Sequence, residues 1–210
     1  MVGATNEMPA AASRWLRTTH GFSAGAIIVI FLAWHLANHV TAAWSLETNK
    51  EIMDLLRVWY RSDTVQPILV ALFAFQLLSG LRLLWAAIAS RADIYSSIQT
   101  ATGAYLMVFL TSHLIAVFIL GRMFLGVDTT FAWASGAPIG LLHDPWNVRL
   151  IPHYSLAPLF VISHLAMGLR AVLLGHGMRV AFANRLAWVI CGIGLGVSLA
   201  ITIAQLSVGT

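Results

Sequence analysis

Five stretches of this chain are each long and apolar enough to cross a lipid bilayer, and this constrains its fold more than any motif. A span needs about 20 predominantly apolar residues. Such stretches run over 20–44, 66–88, 98–121, 148–174 and 186–206. The expected fold is all-α, an integral membrane bundle of five transmembrane helices forming one domain over 14–210. Residues 1–13, small and polar, read as a flexible N-terminal tail. Composition agrees: 59% of the 210 residues are hydrophobic and only 10% charged, against the roughly 25% charged that a soluble domain carries. The mean hydropathy is +0.82.

The same composition narrows function. The first apolar stretch is too long for the h-region of a cleavable leader and reads as a true span. Cys191 is the only cysteine and lies inside the last span, so no disulfide, C-x-x-C pair or cysteine-ligated cluster can form within the chain. A net charge of +4 reflects positive flanks rather than a nucleic-acid partner. Arg14, Arg17, Arg82, Arg91, Arg170, Arg179 and Arg185 fall on the side of the N-terminus, and Lys50, Arg57, Arg61, Arg122 and Arg149 on the other. Seven against five puts the N-terminus in the cytoplasm.

The connections carry their own signals. Glu51-Ile-Met-Asp-Leu-Leu-Arg-Val-Trp-Tyr-Arg61, inside the 46–65 connection, is amphipathic and predicts a short outer surface helix. Residues 122–147 hold Gly126, Gly136, Pro138, Gly140 and Pro145 with Trp133 and Trp146. This reads as an irregular outer loop whose tryptophans sit at the headgroups. The connections near 89–97 and 175–185 are short.

Against this apolar background, four polar positions stand out, one on each of the first four spans: His35, Gln76, His113 and His164. An ionisable residue inside a membrane is costly unless paired, which makes it a functional candidate. His35 lies 15 residues beyond His20 and His113 lies 15 beyond Ile98, each about 22 Å along its helix at 1.5 Å per residue. The two can therefore face each other at one level in the outer half. Gln76 falls near mid-membrane and His164 closer to the cytoplasm. Gln76-Leu-Leu-Ser-Gly80-Leu-Arg82 and His164-Leu-Ala-Met-Gly168-Leu-Arg170 also echo each other. In both, a polar residue and a glycine lie one turn apart on one face, and the glycine permits close approach of a flat ligand or a helix.

Two facing imidazoles in a bundle suit haem iron held axially. Zinc would want four donors in a tetrahedron, and no such cluster is visible. Attachment would be non-covalent, since there is no C-x-x-C-H. Arg17, Arg82 and Arg170, with His20 near them, lie towards the cytoplasmic end, where guanidinium groups could pair with haem propionates. Each residue also has a plainer reading. His35, His113 and His164 could tie helices by hydrogen bonds, and Arg82 and Arg170 could be snorkelling residues. His39 could serve as a polar interfacial group, His153 as a helix cap, and His143 and His176 as solvated loop residues.

The pattern resembles the dihaem cytochrome b membrane anchor of succinate dehydrogenases and fumarate reductases, in its single-chain five-helix, cytochrome b558-like form. Arg17-Thr-Thr-His20, followed 15 residues later by His35, is similar to that family's first span. Thr111-Ser-His113-Leu resembles its second outer-haem ligand, and His164 with Gly168 resembles one inner-haem ligand. The resemblance covers about residues 14–208. Gln76 departs from it, standing where the family has its other inner-haem histidine. Glutamine is a poor iron ligand, though its amide can hydrogen-bond to a bound group. The inner haem is then absent, held by His164 alone, or completed by another residue.

The resemblance implies a haem b-containing anchor in the bacterial inner membrane. It would pass electrons between quinone and cytoplasmic flavoprotein and iron–sulfur subunits, with Gly80 and Gly168 beside the inner site and His39, His153 and Tyr154 as quinone-pocket candidates. The chain holds no dinucleotide motif or nucleophile constellation and would catalyse nothing alone. Two other readings stay open: a cytochrome b with a different redox partner, and a non-haem transporter or scaffold whose histidines are structural.

Overall fold

A computed structural model of the protein describes the backbone of residues 10–88, 93–145 and 147–209, and the side chains from Arg14 onward within them. Among these residues the structure is helical with no strand. Five helices are long and apolar enough to cross a membrane: Arg14–Thr41, Val65–Ile88, Ile94–Phe124, Val148–Gly175 and Val180–Leu206. The first, third and fifth therefore run from the amino end of the bundle to its far end, and the second and fourth run back.

These limits differ from the hydropathy pattern because caps and turns, not greasiness, end a helix. The first helix is already formed at Ala10, inside the expected tail, whose residues 1–9 lie outside the described residues. It stops at Thr41, because Ala42–Trp44 turn and Ser45 starts the next helix, its Oγ accepting from the N–H of Glu47 and Thr48. The third begins at Ile94, where Asp93 accepts from the Ser96 N–H at 2.7 Å. Side-chain acceptors here satisfy amide groups that a helix start leaves without partners. The fifth begins at Val180, six residues before its most apolar stretch.

Two spans contain a π-helical segment: Ile28–Leu32 in the first and Ile115–Phe124 in the third. The Ala33 N–H bonds to Ile28 O, and the Leu125 N–H to Leu120 O, five residues back rather than four. In the first span the loosened carbonyls take indole donors. Trp34 donates to Val29 O at 2.9 Å and Trp59 to Ile30 O at 3.3 Å. One π segment ends three residues before His35 and the other begins two after His113, a placement common beside functional groups.

The five spans pack as two groups. The fourth and fifth pack tightly through small residues; Ile162 seats against Gly194, and Ser198 donates to the carbonyl of Ser155. The third packs on the fourth, and the first on the second. Between the pair and the trio, backbone contact is sparser, and the first and third spans meet through imidazoles. In the most apolar 18-residue window of each span, 6%, 11% and 0% of positions are buried in the first three, against 28% and 22% in the last two. The sparser contact between the pair and the trio leaves a seam between them.

The far end is capped. The surface helix expected in 46–65 is Leu46–Tyr60. It turns Asn49, Met53 and Arg57 inward while Leu55, Val58 and Trp59 stay exposed. Arg57 binds Asp128 at 2.8 Å and Thr129 O at 3.1 Å, and Asn49 donates to Asn38 O at 2.6 Å. The segment after Phe124 is irregular and partly exposed, as expected of a loop, and it also plugs the far end. Its short helix Phe131–Ala134 buries Phe131 among Ala42, Ala204 and Val208. Gly140, at φ 83°, presses against the Val208 carbonyl where a Cβ could not fit. Trp133 packs on Gly121; Trp146 lies outside the described residues.

Candidate functional site

Histidines line the seam at two levels. His20 lies ten residues inside the amino end of the first helix, which begins at Ala10, and His35 six inside its far end at Thr41. His113 lies 11 residues from the far end of the third span, and His164 lies 11 from the amino end of the fourth. At 1.5 Å per residue these offsets are about 15 Å and about 16 Å at the amino end, and about 9 Å and about 16 Å at the far end. The first span therefore presents an imidazole at each level, opposite one from the trio. All four rings are half-buried.

At the far level, the ring centroids of His35 and His113 are 6.4 Å apart at 67°. A metal bonded to two imidazole nitrogens at about 2 Å each separates ring centroids by about 6 Å; the centroid spacing matches this, while the Nε2 of His35 is turned to His39. Aromatic rings brace both: Phe31 stacks on His35 at 4.7 Å and Phe109 on His113 at 5.4 Å. His39, one turn beyond His35, joins them. Its Nε2 is 3.2 Å from the Nε2 of His35, and its buried Nδ1 has no hydrogen-bond partner. His35 and His39 thus touch, and one imidazole nitrogen waits for an acceptor or donor.

The amino level is built differently. The single hydroxyl proton of Ser79 goes to Phe75 O at 2.5 Å, so its oxygen accepts from Nδ1–H of His20 at 2.7 Å. His164 Nδ1 is 3.0 Å from the carbonyl of Gln99, which can only accept. Both imidazoles therefore carry their proton on Nδ1 and keep the Nε2 lone pair, which has no hydrogen-bond partner among the described residues. Iron- and zinc-binding histidines are held in this way, the second nitrogen donating to a fixed acceptor. Glycines clear the space around them. A Cβ on Gly80 would meet His20 Cε1 at 3.5 Å, and one on Gly103 would meet His164 Cε1 at 3.0 Å.

Gln76 does not meet His164 among the described contacts. Its amide donates to His20 O at 2.8 Å and to Ser23 Oγ at 2.6 Å, gripping the turn that carries His20. Gly168 faces the amide of Gln99 instead, a Cβ there lying 3.4 Å from Nε2. The echoed glycines thus make room for neighbouring side chains.

The basic candidates divide. Arg17 and Arg82 are exposed at the amino end. Arg170 is committed: it stacks on Tyr95 at 3.6 Å, donates to Asn184 at 2.6 Å and lies 3.9 Å from Asp93. Hydrogen bonds from the Ser96 N–H and hydroxyl, then the charge of Arg170, hold the Asp93 carboxyl below the usual carboxylate range. Of the quinone candidates, His39 sits on the far pair, whereas His153 pairs with Tyr105, Nδ1 to hydroxyl at 3.5 Å with the rings stacked at 6.3 Å. Tyr154 is half-buried beside it in sequence. No group of three or more His, Cys, Asp or Glu among the described residues could cage a bare metal ion.

Sequence reasoning did not single out Ser79, Ser23, Gln99, Gly103 or Tyr105. The signal available for them was that each is polar or lacks a side chain inside an apolar span. No family model, curated protein or solved structure matches this chain.

Proposed function

We propose that this chain is a haem b-binding membrane subunit that passes electrons between quinone in the bilayer and a flavoprotein/iron–sulfur dehydrogenase of the succinate or fumarate type on the cytoplasmic face. The observation that carries it is the far-level pair, His35 and His113, at a separation that suits two axial ligands and on opposite walls of a seam. Haem b, when bound, supplies a one-electron carrier. The chain's own part is to hold and shield. Phe31 and Phe109 fix the ring planes, and Phe131 with the plug covers the far end against water. Quinone reduction takes up two electrons and two protons. His39, whose Nδ1 is unpartnered beside the pair, is placed to hand on or receive one proton.

The test is a reduced-minus-oxidised spectrum of the purified chain with a haem count per polypeptide. We expect a b-type spectrum from which His35→Ala and His113→Ala each remove the far-level haem. A chain purified with no haem overturns the reading. Co-purification of a flavoprotein with an iron–sulfur subunit identifies the partner class, and a different dehydrogenase would redirect it. One observation favours a second reading, in which the histidines only tie helices: the His35–His39 contact at 3.2 Å is itself a hydrogen bond that needs no cofactor.

A further inference from the structure

We infer that His20 and His164 are the two axial ligands of a second haem at the amino level, with Gln76 serving as the positioning residue for His20 rather than as a ligand. The inference rests on the haem reading above and extends it to the amino level, where position 76 is a glutamine.

Three observations converge. Each imidazole donates Nδ1–H to a fixed acceptor, Ser79 Oγ for His20 and Gln99 O for His164, leaving two Nε2 lone pairs. The rings belong to opposite walls of the seam and approach the same stretch of it: a Cβ on Gly80 would lie 3.5 Å from both His20 Cε1 and Met107 Sδ, and Met107 is one turn from Gly103, which faces His164. Glycines stand where larger residues would crowd them, Gly80 against His20 and Gly103 against His164. Gln76 spends both N–H donors on the turn of His20, which fixes the helix rotation that aims the ring. A glutamine in place of a histidine thus stabilises a histidine delivered by the neighbouring helix.

The experiment is haem stoichiometry and redox titration of the purified full chain and its variants. Wild type should hold two haems. His20→Ala and His164→Ala should each lose one and leave the far-level spectrum unchanged, while His35→Ala loses the other. His20→Met, which keeps a ligand, should retain the second haem with a raised midpoint potential, as methionine ligation raises it. Ser79→Ala should weaken retention of that haem by about 10–100-fold. A wild type with one haem that His35→Ala abolishes, or a His20→Met chain with unaltered midpoints, overturns this inference and leaves the far-level assignment intact. A single haem lost in His20→Ala but kept in His35→Ala supports this inference and ends the far-level one. No haem at all ends both.

Discussion

The two histidine levels use one residue type in opposite ways. At the far level His35 contacts His39 and lies 6.4 Å, centroid to centroid, from His113, and aromatic rings and a plug surround them. At the amino level His20 and His164 each bind a non-histidine acceptor that settles which nitrogen holds the proton. The chemical competence of an imidazole in a membrane is therefore set by its other nitrogen's partner. Depth and spacing along the helix do not report that partner.

The sharpest way to break the contrast is Gly103→Val. Even a Cβ there would lie 3.0 Å from His164 Cε1, so a branched side chain must displace the ring. We expect loss of nearly all amino-level haem with the far-level spectrum unchanged, read by haem count. Arg57→Ala acts at the other end, since it strips a buried guanidinium of its bonds to Asp128 and Thr129. Hydrogen bonds to charged groups contribute about 1.5–3 kcal/mol, and detergent unfolding should fall by about 2 kcal/mol while His20 stays held. Gln76→Leu should cost about 1 kcal/mol, in line with interhelical hydrogen bonds in membranes, and should shift the midpoint of the amino-level haem alone.

His39→Phe should alter stability by less than about 1 kcal/mol, because it removes an unpartnered buried nitrogen along with a hydrogen bond. Both haems should remain; loss of the far-level one would make His39 a ligand. The smallest effect concerns pH. The Asp93 pKa is depressed by the Ser96 donors and Arg170. Its contribution is therefore complete above the unfolded value of about 3.9 and lost as pH falls through the folded one. Protection against amide exchange at Ile94–Ser97, taken relative to the intrinsic rate at each pH, should fall below about pH 4, with the far-end cap unaffected.

Much of this was legible in the sequence, but unevenly. The five spans followed from length and hydropathy, and the Leu46–Tyr60 helix from its amphipathic pattern. The common level of His35 and His113 followed from counting residues along their helices. What escaped was rotation. Spans that are apolar all round give no facing signal, so nothing along the chain tied Gln76 to the His20 turn or Gly103 to His164. The plug escaped for a related reason: glycine and proline mark irregular backbone but do not reveal that Phe131 anchors it. Gln76 illustrates the gap most directly, since its grip on the His20 turn depends on how two helices are rotated against each other.

The π segment at Ile28–Leu32 carries a consequence for how the two levels are phased. An α-helix advances about 100° per residue, and a π turn absorbs one additional residue without moving the helix axis. Regularising this segment into a plain α-helix with every residue kept would convert that additional residue into rotation. The half bearing His20 would then swing by about 100° relative to the half bearing His35. Both ends would remain helical and equally apolar, yet only one imidazole at a time could face the seam. One inserted residue thus acts as the angular gauge of the first span, and the segment's π conformation is under as much constraint as its chemistry.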